Sequence, residues 1–227
     1  MLSIRRTLIG AALTVGMLAQ VQQAVALTFD LDTTFSGTPP DNTYSATFSS
    51  SCGAGCVRLT MSITGTSVTE FIDGNTSFGW GFNFNPAKAP TLLNFTFVSG
   101  QQAQSISTGV DFDKADGDGF FDIVFGFDSA ANTGNRFTAG ETSVYDITLA
   151  GLTVADFNFS SLCGQGCGEG SFFSAAHVQG IGPSDNSGWI GDGDGGGNGV
   201  PEPRSLLLLG SAALAAAGLS LRKRSLV

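Results

Sequence analysis

The chain of 227 residues carries 10 Lys and Arg against 19 Asp and Glu, a net charge of −9. All nineteen acids but only four cations, Arg58, Lys88, Lys114 and Arg136, fall between Leu27 and Pro203, so that stretch has a net charge of −15. Such a balance argues against nucleic acid, whose binding needs cationic neutralisation of phosphates; it suits divalent cations or neutral glycans, although solubility alone also explains an acidic surface.

At the N-terminus, Arg5 and Arg6 precede an apolar run from Leu8 to Leu18, and Ala24 and Ala26 flank Val25 in a small-x-small cleavage site. These are the parts of a secretory signal peptide over residues 1–26, which places the mature start at Leu27. Removing both apolar ends leaves roughly 175 residues, enough for one domain with its own core.

From Leu27 onward the period is two. Leu27, Phe29 and Leu31 alternate with polar residues, as do Leu59, Met61 and Ile63. The same rule holds for Phe78 to Phe84, Leu93 to Phe97, Ile123 to Phe127, Ile147 to Leu149 and Phe157 to Phe159. Alternation of this kind marks half-buried antiparallel strands. Turn clusters such as Gly37-Thr38-Pro39-Pro40-Asp41-Asn42 separate them. Residues 27–190 are therefore expected to form an all-β antiparallel β-sandwich, with the jelly roll as one arrangement that fits, and nineteen Phe to fill the space between its sheets.

Four cysteines in an exported chain read first as disulfides. Phe48 to Cys56 and Phe159 to Cys167 share the pattern F-S-S-x-C-G-x-G-C, which favours Cys52 with Cys56 and Cys163 with Cys167, each closing a Gly-rich turn. A four-cysteine zinc site is the alternative, but three-residue spacers depart from the usual two-residue knuckle.

Asp113-Lys114-Ala115-Asp116-Gly117-Asp118-Gly119-Phe120-Phe121-Asp122 contains D-x-D-G-x-x-D, the core of many calcium loops. Calcium takes six to eight oxygens, and acids two apart on a glycine-rich turn aim theirs at one centre. Lys114 stands where a fuller loop has an acid, so Asp113 would have to join Asp116, Asp118 and Asp122 as a ligand. A solvated hairpin turn explains the same residues without metal.

Catalytic signals are weak, and no enzyme is expected. His177 is the one histidine, it lies in a strand-like stretch, and the cysteines have disulfide roles, so no thiolate is left for it to activate. Glu70, Glu141 and Glu169 are acids that a glycosidase could use, but nothing marks them as a pair. Trp80, between Gly79 and Gly81, and Trp189, after Gly188, are candidates for stacking on sugar rings, with core packing as the competing reading.

Residues 191–199, Gly-Asp-Gly-Asp-Gly-Gly-Gly-Asn-Gly, have nothing to bury and read as a flexible tether. Val200-Pro201-Glu202-Pro203 follows, where each proline fixes its own φ and holds the residue before it extended. Ser205 to Leu221 is free of charge, and as a helix it spans roughly 26 Å, just short of a hydrocarbon core of about 30 Å. Arg222, Lys223 and Arg224 then place that end in the cytoplasm.

The triplet Pro201-Glu202-Pro203, one short apolar helix and a basic terminus, in that order over residues 200–227, resemble the PEP-CTERM sorting signal. The resemblance implies recognition by exosortase, a membrane-embedded protease, and association with exopolysaccharide. It also implies a chain anchored in the inner membrane before processing and found afterwards at the cell surface or outside the cell. Taken together, the expected protein is a non-catalytic surface or matrix β-sandwich. A calcium-dependent carbohydrate-binding module is the alternative, and a secreted hydrolase ranks last.

Overall fold

The structure, a computed structural model, describes residues 25–74, 78–130, 134–163 and 170–193. Ala24 and the rest of the expected signal peptide up to it lie outside the described residues, as do Cys167, Glu169, the Val200–Pro203 motif, the helix expected at 205–221 and Arg222 to Arg224. Among the described residues no helix is long and apolar enough to cross a membrane.

The alternating stretches are strands. In chain order the described residues form β1 Ala26–Asp30, β2 Thr33–Gly37, β3 Thr43–Ser49, β4 Cys56–Thr64, β5 Phe71–Ile72 and β6 Trp80–Phe82. There follow β7 Asn94–Gly100, β8 Ser105–Lys114, β9 Phe120–Gly126, β10 Thr142–Thr148, β11 Ser174–Ile181 and β12 Asn186–Gly191. One sheet has the order β1-β3-β4-β10-β7; the other has β2-β12-β11-β6-β9-β8, with β5 also paired to β11. Every pairing is antiparallel.

Aromatic rings from the two sheets meet in the space between. Phe48 of β3 packs edge-on against Phe82 of β6 at 5.2 Å, and Tyr145 of β10 lies 5.1 Å from Phe125 of β9. Cross-sheet ring pairs of this geometry add to the area they bury. The chain is thus an all-β antiparallel sandwich.

Three details depart from the sequence reading. The Phe157–Phe159 stretch is not a strand: Val154–Phe157 is a short 3-10 helix, because Thr153 and Asp156 form a reciprocal capping box that holds its first turn. In β9, residues 121–126 are all buried, so alternation fails there. A second apolar cluster explains this, since Phe78, Phe121, Val124, Phe172 and Ala175, with Phe35 and Trp189 against them, cover the outer face of the larger sheet. The body also runs past residue 190. Gly191 belongs to β12, and Asp192, 5% exposed, accepts the backbone N–H of Phe173 at 2.8 Å and of Ser174 at 2.9 Å. Those bonds tie the first residues of the supposed tether to β11.

Candidate functional site

Inside–outside parity positions the side chains of the larger sheet. Ala176 and Val178 of β11 and Ile190 of β12 belong to the central core, so His177 and Trp189 project to the opposite, outer face. His177 and Trp189 are cross-strand partners in the β11–β12 ladder, and their rings stack at 4.3 Å with planes 12° apart. Next to them, Phe78 and Phe35 lie 5.5 and 6.4 Å from the indole, and Phe35 stacks on Phe172 at 4.7 Å. The result is a strip of rings along the outer face, with His177, Trp189 and Phe35 only half-buried.

Glycine provides the floor of this strip. A Cβ at Gly81 would stand 2.2 Å from the Phe78 ring, and one at Gly191 would stand 2.5 Å from the Phe172 ring. Any side chain at either position would lift a ring off the sheet.

Polar groups border the strip on the His177 side. Gln179 Nε2 donates to Asp73 Oδ2 at 2.6 Å, Gly74 N–H donates to Asp73 Oδ1 at 2.7 Å, and His177 Nδ1 lies 3.3 Å from Asp73 Oδ2. A ring platform beside a half-buried amide and imidazole suits a sugar, whose C–H surfaces pack on rings while its hydroxyls hydrogen-bond; the buried Asp73 carboxylate orients Gln179 rather than facing outward. One face of the Trp189 indole is already occupied by His177, so a sugar would meet the edge of the stacked pair rather than a bare indole.

The structure separates the two tryptophans. Trp80, expected as an equal candidate, is fully buried in the core: its Nε1–H donates to Ser174 Oγ at 2.9 Å, and its ring packs on Phe82 and Phe137. It cannot reach a glycan. Gly79 and Gly81, read from sequence as leaving Trp80 uncrowded, instead permit close approach of Phe125 backbone and of the Phe78 ring.

The acids of the expected calcium loop do not gather. Asp113 is half-buried and Asp116 exposed, with Asp116 at a φ of +41° in the β8–β9 turn. Asp122 is buried and turned the other way, its two oxygens accepting the N–H of Asp111 at 2.8 Å and of Phe84 at 2.9 Å. Asp118 is buried in the same turn. Among the described residues, the carboxylates of this loop form no set of three within ligand-sharing distance. The one such set, Cys52, Cys56 and Asp146, is not a metal site: the cysteines are joined in a disulfide, as expected, and Asp146 makes a two-pronged salt bridge to Arg58 at 2.7 and 2.9 Å. Cys163 is not a free thiol, and its expected partner lies outside the described residues. Ala26, expected at the cleavage site, pairs with Ser49 at the start of β1.

Nor do the glutamates form a pair. Glu70 is fully buried and accepts the N–H groups of Asp41 and Asn42 and the Tyr44 hydroxyl at 2.7 to 3.1 Å, whereas Glu141 caps the N–H of Thr138. Burial first, and then Glu70 beside it, pushes the Tyr44 hydroxyl far above its ordinary value.

One titrating group stands out at the β2–β12 edge of the larger sheet. Burial pushes the Asp192 carboxyl up to about 7, against the lowering effect of the N–H groups it accepts, and the Asp32 charge adds to the rise. Asp73, Gln179, Phe35 and Asp192 carried no sequence signal. Gln179 and Asp73 are 106 residues apart, and only the β5–β11 pairing brings them together. No family model, no curated protein and no solved structure matches the chain.

Proposed function

We propose that this chain is an exported, exosortase-processed surface or extracellular-matrix protein whose non-catalytic sandwich associates with extracellular polysaccharide. The observation that carries the polysaccharide half is the half-buried His177–Trp189 stack on the outer sheet face, bordered by Asp73 and Gln179. Rings that remain half-open on an outer sheet face leave apolar surface for a partner to cover. The net charge of −15 between Leu27 and Pro203 favours neutral or cation-bridged glycans. Consecutive strands pass repeatedly between the two sheets, which supports a jelly-roll-like reading of the sandwich. The sorting half rests on Pro201-Glu202-Pro203, the apolar run and the basic terminus.

Retention of the full chain on polysaccharide from the producing cells tests the first half. Trp189→Ala is expected to reduce retention at least tenfold at temperatures where the variant is folded, and equal retention by that variant would refute the reading. Loss of retention on adding chelator and in Asp116→Asn/Asp118→Asn would favour the calcium-dependent module instead. Intact mass tests the sorting half. A chain ending near residues 200–203, restored to Val227 in Pro201→Ala/Pro203→Ala, supports it; a chain ending at Val227 in both removes it.

A further inference from the structure

The edge of the larger sheet where β2 meets β12 holds an unsatisfied carboxylate. The ladder pairs Gly191 with Thr33, and continuing it by one residue sets Asp192 opposite Asp32. Directly opposed side chains share a sheet face, and like charges there repel. Asp192 is 5% exposed; its Oδ1 takes the N–H groups of Phe173 and Ser174, while its Oδ2 is buried with no hydrogen-bond partner. Buried polar atoms are nearly always satisfied, so an orphan oxygen calls for a partner.

Asp32 is close at hand. A Cβ placed on Gly193, the residue after Asp192, would stand 3.5 Å from Asp32 Oδ1 and 2.5 Å from Thr33 Oγ1, and that hydroxyl donates to Asp32 Oδ1. Asp32 also lines a cleft of about 420 Å³ together with Asp30, Thr34 and Ile190. Among the described residues, the Lys and Arg salt bridges are Arg58 to Asp146 and Lys88 to Asp156, neither of them at this corner.

We propose that Asp192 Oδ2 and the Asp32 carboxylate bind a divalent cation of the calcium type, which joins the strand β12 end, and with it the root of the C-terminal segment, to the β1–β2 corner. Hard cations take carboxylate oxygens and fill their remaining positions with water or backbone carbonyls. Two carboxylates, only one of them reaching the cleft, suit the weak range of extracellular modules, with dissociation constants of about 10⁻⁴ to 10⁻³ M. This site is distinct from the Asp113–Asp122 turn and does not depend on the glycan reading.

The test is the thermal midpoint of the full chain at pH 7.5 with about 5 mM CaCl₂ against NaCl of equal ionic strength. A dissociation constant near 0.5 mM would raise the midpoint by about 3 to 5 °C. Asp192→Asn, which keeps an oxygen for the Phe173 and Ser174 N–H groups, is expected to lose that shift. Asp32→Asn, at an exposed position, is expected to lose most of it and decides the matter if Asp192→Asn does not fold. Asp116→Asn/Asp118→Asn is expected to keep it. No calcium shift in the unaltered chain, a shift that survives both Asp192→Asn and Asp32→Asn, or one lost only in Asp116→Asn/Asp118→Asn would overturn the proposal.

Discussion

Asp156→Asn tests how the sandwich is closed at one end. The carboxylate is 5% exposed, in the 3-10 helix at Val154–Phe157. Its Oδ2 accepts the Thr153 N–H at 2.9 Å, the Thr153 hydroxyl at 3.0 Å and Lys88 Nζ at 2.6 Å, while Oδ1 accepts Asn85 Nδ2 at 2.8 Å. Burial alone would raise its titration; Lys88, Asn85 and Thr153 outweigh burial and hold the carboxyl below its ordinary range. Asparagine removes the charge and turns an amide N–H₂ toward donors. Breaking a buried pair costs about 3 to 5 kcal/mol, and the low end applies because Lys88 still reaches solvent and the Gly151 carbonyl.

For a domain of this size, about 3 kcal/mol lowers the thermal midpoint by about 6 to 12 °C. The pH dependence follows from the sign of the shift. A carboxyl whose folded value lies below its unfolded value, near 4, contributes stability that is present above that value and is lost as pH falls through the folded one. Urea titrations of both proteins from pH 7 down to pH 2 should therefore show a gap that is widest at neutral pH and closes in acid. A gap below 1 kcal/mol at pH 7, or one that stays constant down to pH 2, would refute the assigned role.

Glu70→Ala strips three donors of their acceptor, the buried Asn42 N–H and Tyr44 hydroxyl and the more exposed Asp41 N–H, and is expected to cost about 3 to 5 kcal/mol in urea unfolding. Trp80→Ala opens a cavity in the core and leaves Ser174 Oγ without its indole donor; a loss of about 3 to 5 kcal/mol is expected, with polysaccharide retention unchanged at temperatures where the variant is folded. Cys52→Ser should cost about 2 kcal/mol or less, since the disulfide spans a sequence separation of only four, and calorimetry under non-reducing conditions measures it.

Strand identity was written locally, and the reason is geometric. A strand's side chains alternate between faces, so Leu27-Phe29 and Leu59-Met61-Ile63 announced themselves without knowledge of their neighbours. The Cys52–Cys56 clip was legible for the same reason, because both partners sit in one short glycine-rich turn. Phe157 and Phe159 show the limit of that logic. Two alternating residues are too few to outweigh a capping box, and Thr153-x-x-Asp156 won.

The candidate site was only half legible. Trp80 and Trp189 sit in similar glycine-flanked strands, yet one is core and the other lines the outer face. Alternation says that a strand has two faces, not which of them meets the opposite sheet. That choice depends on which strands pair.

By itself, the sequence determined the all-β class, the acidity of residues 27–203, the first disulfide and the motif at residues 200–203. Each rests on neighbouring residues. Tertiary structure alone decided that β4 pairs with β10, that Gln179 reaches Asp73 across 106 residues and that Asp192 is sealed at the β2–β12 corner with an oxygen unmatched. These are long-range pairings, whose energy comes from burial and hydrogen bonds realised only when distant strands meet, and no local pattern encodes them.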